Sequence, residues 1–389
     1  MEQIDVALLE ALGRVDDPEL RRPITELGMV ESARLVDGVA MVSVLLTIEG
    51  CPLRSTIEAD VKAAVSTVEG VREVIVEVGY MTPDQRTVLR EKLGHSARVN
   101  PFASPDSLTK VYAVVSGKGG VGKSSVTVNL AAAFASQGLK VGVVDADVHG
   151  FSVPGLLGIT QAPTRLEEMI VPPVVSLPDE ELAAWQRQHS AVEPGFIKVI
   201  SIGMFVDSVQ PVAWRGPMLH RALEQFLTDV YFGDLDVLLL DLPPGTGDIA
   251  ISMAQLLPTA ELVLVSTPQL AAVDVAQRAG TLSLQTEQKV VGIVENMSAM
   301  VMPDGSAVEV FGSGGGQVLS ERLGEVLGYE VPELGSVPLD VSLRAGGDAG
   351  RPVVWSAPDS PAGSALRAVA QTLGHAKRNL AGRKLPLNF

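Results

Sequence analysis

Eight residues constrain this chain more than any other stretch: Gly117-Lys118-Gly119-Gly120-Val121-Gly122-Lys123-Ser124. They fit the pattern G-x-x-x-x-G-K-S/T in its required setting, with an apolar, β-branched run (Val111–Ser116) before it and a helical run (Ser125–Gln137) after it. A loop of this kind wraps its backbone N–H groups around phosphates and delivers them to a helix N-terminus. Lys123 then meets the β- and γ-phosphates, and the Ser124 hydroxyl holds Mg²⁺. Such a loop needs a parallel sheet behind it. From Val111 onward short apolar runs (Val111–Val115, Val141–Val144, Val237–Leu240, Leu262–Val265, Val290–Val294) alternate with Ala/Leu-rich helical windows. Continuous apolar strands separated by helices predict an α/β fold, a mostly parallel sheet covered on both faces.

Carboxylates follow two of those strands. Asp145 and Asp147 lie just beyond Val141–Val144, where side chains face the ligand crevice of an open α/β sheet. Asp147 is the candidate for orienting the attacking water, and Asp145 for reaching Mg²⁺ through water. His149 beside them reads as structural. Asp241 ends Val237–Leu240 and suits the metal's water shell. The turn behind it, through Gly245, Thr246 and Gly247, is placed to sense a γ-phosphate and reorganise on hydrolysis.

The 389 residues predict more than one domain. Residues 1–98 read as a small α+β domain: Val6, Leu9 and Leu12 mark a helix face, Val39–Ile48 a β-rich run, Arg54–Val68 a helix, and Val74, Val76 and Val78 alternate as a strand. The polar, proline-interrupted stretch within 99–109 reads as a linker, and 110–389 as the phosphate-binding domain. Within it, 161–195 carries prolines and the acidic run Asp179-Glu180-Glu181, and reads as an irregular surface insertion. The tail bears Lys377, Arg378, Arg383 and Lys384.

Composition narrows the functional classes. Thirty Lys and Arg against 46 Asp and Glu give −16, which opposes nucleic-acid binding. A single cysteine excludes an internal disulfide and a multi-cysteine zinc site within one chain. The N-terminus lacks the basic-then-apolar order of a signal peptide, and no apolar run reaches membrane-spanning length, so the expectation is a cytoplasmic protein without membrane or nucleic-acid partners. Leu366, Val369, Ala370 and Leu373 form a stripe beside the basic end. It reads as a last core helix, or as a membrane-surface helix.

Lys118, a second lysine early in the loop, resembles the deviant Walker A motif of the MinD/ParA/nitrogenase-iron-protein ATPases. That resemblance implies a nucleotide-sandwich homodimer in which the lysine reaches the partner's phosphates. Taken with Val115–Val126, Asp145–Pro154, Trp214-Arg215-Gly216-Pro217-Met218, Asp241–Asp248, Glu295-Asn296-Met297-Ser298, Phe311–Gly316 and Pro338-Leu339-Asp340, the chain resembles the Mrp/ApbC iron–sulfur cluster carrier family nearly throughout. Asp17-Pro18-Glu19 and Gly50-Cys51-Pro52 resemble the small iron–sulfur assembly domain often fused ahead of such ATPases. The resemblance implies ATP and Mg²⁺ as cofactors, contacts from Gly117 through Ser125, adenine recognition by Asn296, and delivery of clusters to apoproteins alongside assembly proteins.

The family's Cys-x-x-Cys after Asn-Met-Ser is absent; the stretch is Ser298-Ala299-Met300-Val301-Met302-Pro303-Asp304-Gly305. Thioethers are poor replacements for bridging thiolates. Cys51 remains, either a thiol activated at a helix N-terminus or a small buried side chain; the resemblance favours an iron–sulfur ligand. Two other functions stay open: a MinD/ParA-like positioning or scaffold ATPase that holds no cluster, and a P-loop ligase acting on a small acid.

Overall fold

The computed structural model describes residues 5–48, 53–94, 99–104, 106–147, 150–188, 194–205, 216–245, 248–302 and 304–374. Cys51, His149, Thr246, Gly247, Trp214, Arg215 and the basic tail lie outside them. The chain divides into two compact units. The first gathers Met1–Arg98, Pro163–Val174 and Asp229–Gly233; the second holds the rest.

In the first unit, α1 (Val6–Leu12) starts where the Asp5 carboxylate accepts the Ala7 and Leu8 N–H groups. It buries Leu8, Ala11 and Leu12, whereas Val6 is 70% exposed and Leu9 38%. The expected face of Val6, Leu9 and Leu12 is therefore corrected. Both sets have helical spacing, and seven residues are too few for periodicity to choose between them. β1 (Val30–Val36) and β2 (Val39–Leu46) pair antiparallel around Asp37-Gly38. Both turn residues have positive φ, as a two-residue hairpin of the type matching strand twist requires. β3 (Glu73–Tyr80) joins β2 in parallel. α2 (Arg54–Val65) buries Ile57, Val61 and Val65, and α3 (Pro83–Lys92) begins at a reciprocal Thr82/Gln85 cap.

The region 161–195 departs from its expected irregularity. β4 (Lys110–Ser116) and β5 (Lys140–Asp145) precede it; within it β6 (Thr164–Leu166) and β7 (Met169–Val171) form an antiparallel hairpin. Leu166, Met169 and Val171 enter the first unit's core beside Val42 and Val44. The turn is Glu167-Glu168, with Glu167 at φ 59°, so none of the usual Gly or Asn signals marks it. β8 (Val174–Ser176) and a helix at Asp179–Gln188 follow. The run Asp179-Glu180-Glu181 is that helix's first turn, where carboxylates meet the positive end of the helix dipole.

The second unit is built on an eight-stranded sheet. With β9 (Phe196–Ser201), β10 (Val237–Asp241), β11 (Glu261–Ser266), β12 (Val290–Ser298) and, past a small ribbon of β13 (Met300–Val301) and β14 (Ala307–Val308), β15 (Glu333–Pro338), its order is β15-β12-β11-β4-β10-β5-β9-β8. From β15 to β9 every neighbouring pair is parallel. The chain runs outward from β4 to β5 and β9, returns to β10, then continues on the other side with β11. This reversal opens a crevice at the carboxyl end of β4, where ligands bind in such sheets. α4 (Lys123–Ala135) is buried almost all round, which explains its Ala/Val-rich sequence.

The stripe Leu366, Val369, Ala370 and Leu373 is buried in the last helix among the described residues, Pro361–Gly374, within the same core as α4. It is a core helix. The Tyr112 hydroxyl donates to the Leu373 carbonyl at 2.9 Å. The stretch at 99–104 is anchored to the second unit by Phe102, 2% exposed, and by Asn100, whose side-chain amide donates to the Leu256 carbonyl at 2.8 Å. Among the described residues no helix is long and apolar enough to cross a membrane.

Candidate nucleotide site

The loop between β4 and α4 is shaped before any ligand arrives. Gly120 and Gly122 both have φ 81°, a left-handed backbone that glycine adopts without strain, and Gly122 is the residue from which α4 starts. Gly117 meets a different demand. A Cβ there would lie 2.4 Å from the Val275 carbonyl carbon, because the loop rests directly on the helix Leu270–Thr281. Val121 is buried, Ser124 and Ser125 are half-buried, and Gly119 and Gly120 stand exposed at the rim.

Beneath the rim lies a dense charged cluster. Lys123 Nζ, on a residue 5% exposed, is 2.7 Å from Asp241 Oδ1 and 3.7 Å from Asp147 Oδ2. The Ser124 hydroxyl donates to Asp241 Oδ2 at 2.5 Å, and the Thr127 hydroxyl to Asp241 Oδ1 at 3.0 Å. Asp241 is therefore fixed by three side chains of one helix end. Thr127 was not singled out from sequence, although it sits four residues after Lys123 on the same helical face.

Asp145 lies opposite Asp241 across paired β5 and β10, and both residues are fully buried. Burial first, and then the Asp241 charge, push the Asp145 carboxyl up to about 7. The Ser201 hydroxyl at 2.9 Å, the Asp147 N–H at 3.2 Å and the Lys123 charge oppose that rise. Ser201, also missed in sequence, faces Asp145 in the β5–β9 register. Three acids and one lysine thus share a buried space, a charge balance that suits a divalent cation beside Ser124 and Asp241.

The surrounding loops complete the crevice. Gly245 N–H donates to the Ser116 carbonyl at 2.8 Å, tying the turn after β10 to the end of β4. The Asn296 side-chain amide donates to the Val121 carbonyl at 2.8 Å, while its buried Oδ1 has no hydrogen-bond partner. An orphaned acceptor against the loop fits the exocyclic amine of an adenine. Lys118 Nζ donates to Gln269 Oε1 at 3.2 Å. Glu295, next to Asn296, accepts the Gly316 N–H at 2.6 Å and so caps the helix Gly315–Leu327. The ribbon of β13 and β14 instead exposes Val301, Met302, Val308 and Val310. Among the described residues no three His, Cys, Asp or Glu side chains form a ready metal site.

The chain is similar to known proteins over nearly its whole length. Residues 107–374 match a family described as NUBPL iron-transfer P-loop NTPase, and residues 5–78 one described as iron–sulfur cluster assembly protein. The chain is 55% identical over 99% of its length to an iron–sulfur cluster carrier protein of Mycobacterium tuberculosis, covering 97% of that protein. It is 43% identical to the carrier of Deinococcus radiodurans, covering 94% of each chain. A solved nucleotide-binding protein of Archaeoglobus fulgidus, in complex with ADP, is 32% identical with a TM-score of 0.50, over 69% of this chain and 92% of that one. With a nucleotide-binding loop in place and relatives of this identity over nearly its whole length, the chain belongs to the Mrp/ApbC family of iron–sulfur cluster carrier P-loop NTPases.

Proposed function

We propose that this chain is a nucleotide-switched carrier that binds and hydrolyses ATP as a homodimer and hands iron–sulfur clusters to apoproteins in the cytoplasm. The observation that carries the reading is the preformed loop over Lys123, Ser124 and Asp241. Backbone N–H groups from Gly117 to Ser125 cradle the phosphates, and Lys123 leaves Asp241 to meet them. Ser124, Asp241 and, through water, Asp145 would hold Mg²⁺, and the chemistry it would supply there is neutralisation of charge on the γ-phosphate. Asp147, with a carboxylate oxygen 3.7 Å from Lys123 Nζ, orients the attacking water. Lys118 serves the partner's phosphates, Asn296 the adenine, and Gly245 and Thr246 the γ-phosphate signal. The partners are assembly proteins upstream and apoproteins downstream; neither membrane nor nucleic acid has a part.

The cluster is cargo, and Cys51 is its one thiolate per chain. Two chains supply two thiolates, so remaining iron sites fall to a small thiol or a partner protein, which makes the cluster labile and exchangeable. Anaerobic reconstitution followed by iron and sulfide analysis tests this. Substoichiometric iron in the natural chain, none in Cys51→Ser, and unchanged basal ATPase activity are expected; full iron retention in Cys51→Ser would overturn the assignment. The absent Cys-x-x-Cys also supports a second reading, a scaffold ATPase that recruits cluster proteins without holding the cluster. Iron-free natural protein, even with added thiol, would favour it.

A further inference from the structure

The contact between Lys118 and Gln269 is fixed from several sides. Gln269 stands at the turn after β11, where its main-chain carbonyl accepts the Ala272 and Val273 N–H groups and starts the helix Leu270–Thr281. Gly117 abuts Val275 and Ala276 of that helix too closely for any side chain, so the loop bearing Lys118 sits at a fixed distance from Gln269. The Thr267 hydroxyl also donates to Gln269 Oε1, at 3.3 Å. That second donor turns the amide so that its oxygen faces Lys118. The Lys118 carbonyl, meanwhile, accepts from Ser116 Oγ at 3.1 Å, which fixes the main chain behind the lysine.

We propose that Gln269 is a positioning residue that holds Lys118 in cis until a second copy of this chain docks, so that the lysine crosses to the partner's phosphates only in the ATP dimer. The proposal rests on the in-trans role of Lys118 given above. A neutral amide suits a releasable hold. One charge-assisted hydrogen bond keeps the lysine at home, without the salt bridge a carboxylate would make. The fraction of chains with Lys118 free then sets the apparent dimer affinity.

Two substitutions of nearly constant shape should act in opposite directions, because the helix start depends on the main chain of Gln269 and not on its side chain. With a non-hydrolysable ATP analogue, Gln269→Met should tighten the dimer dissociation constant about threefold to tenfold, measured by sedimentation. Gln269→Glu should weaken it about tenfold and slow hydrolysis, with the loss shrinking as salt is raised. In a Lys118→Ala background both effects should vanish. Effects of the same sign, absence of either effect in the natural background, or persistence in Lys118→Ala would overturn the latch while leaving the in-trans lysine standing. A Lys118→Ala chain that dimerises and hydrolyses normally would remove the in-trans reading, and the latch with it.

Discussion

The nucleotide loop and the ribbon that follows Asn296 are built in opposite ways. Around the loop, Lys123, Asp145, Asp147 and Asp241 are all buried, and Asp241 alone is held by three side chains. On the ribbon, Val301, Met302, Val308 and Val310 are exposed, with no ligand cluster among the described residues. The charged cluster at the phosphate loop is assembled within one chain, whereas the stretch after Ser298 lacks the Cys-x-x-Cys that the family usually carries. Nucleotide chemistry and cargo holding are therefore separable here, and substitutions should separate them.

The largest effect belongs to Lys123→Ala. The phosphates lose their main charge partner, so nucleotide binding should disappear in calorimetry. The same change strands Asp241 as an unpaired buried carboxylate, at a cost of about 3–5 kcal/mol in stability. Adding Asp241→Asn should restore much of the melting temperature and none of the binding. Recovery of binding in the double variant would mean that Lys123 matters only as a counter-ion.

How much of this was legible in sequence follows the same division. The loop, its flanking strand and helix, and the acids at the ends of β5 and β10 are local patterns on continuous apolar strands, and they carry their own punctuation. Thr127, Ser201 and Gln269 escaped because their roles depend on register and loop approach, which no short window contains. The hairpin of β6 and β7 escaped for another reason: its turn residue Glu167 adopts φ 59° without the glycine or asparagine that marks such turns. α1 shows the limit of periodicity itself, with Leu8, Ala11 and Leu12 buried in place of Val6 and Leu9.

A gain of function probes the ribbon. The Gly305 N–H donates to the Met302 carbonyl at 2.9 Å, so positions 302 and 305 flank one tight turn with the spacing of a Cys-x-x-Cys pair. Met302→Cys combined with Gly305→Cys gives two chains four thiolates. Anaerobic reconstitution should then yield up to about one 4Fe–4S cluster per dimer, independent of Cys51. The left-handed backbone at Gly305, φ 84°, makes the second substitution cost about 1–2 kcal/mol. Iron no higher than in the natural chain would show that the two ribbons do not meet.

The smallest effect concerns what the buried acids cost the fold. Asp145 has an ordinary value of 3.8 and is held near 7 by burial and by Asp241 across the strand pair. The folded chain thus keeps a proton that the unfolded chain releases. Its stabilising contribution is fully present below about pH 4 and is lost as pH rises through 7. Some three pH units correspond to an upper figure of about 4 kcal/mol. Asp145→Asn keeps an acceptor oxygen for the Asp147 N–H and turns an amide N–H toward Ser201 Oγ, as the protonated carboxyl turns its O–H, while discarding the charge. Without nucleotide or Mg²⁺, it should melt several degrees above the natural chain near pH 8, with the gap closing toward pH 5. Mg²⁺ should raise the natural chain more than the variant, because only the natural chain has the extra charge to neutralise. A variant as destabilised at pH 8 as at pH 5 would mean that Asp145 serves the fold through its hydrogen bonds alone, and that the acid cluster exacts no cost for metal binding.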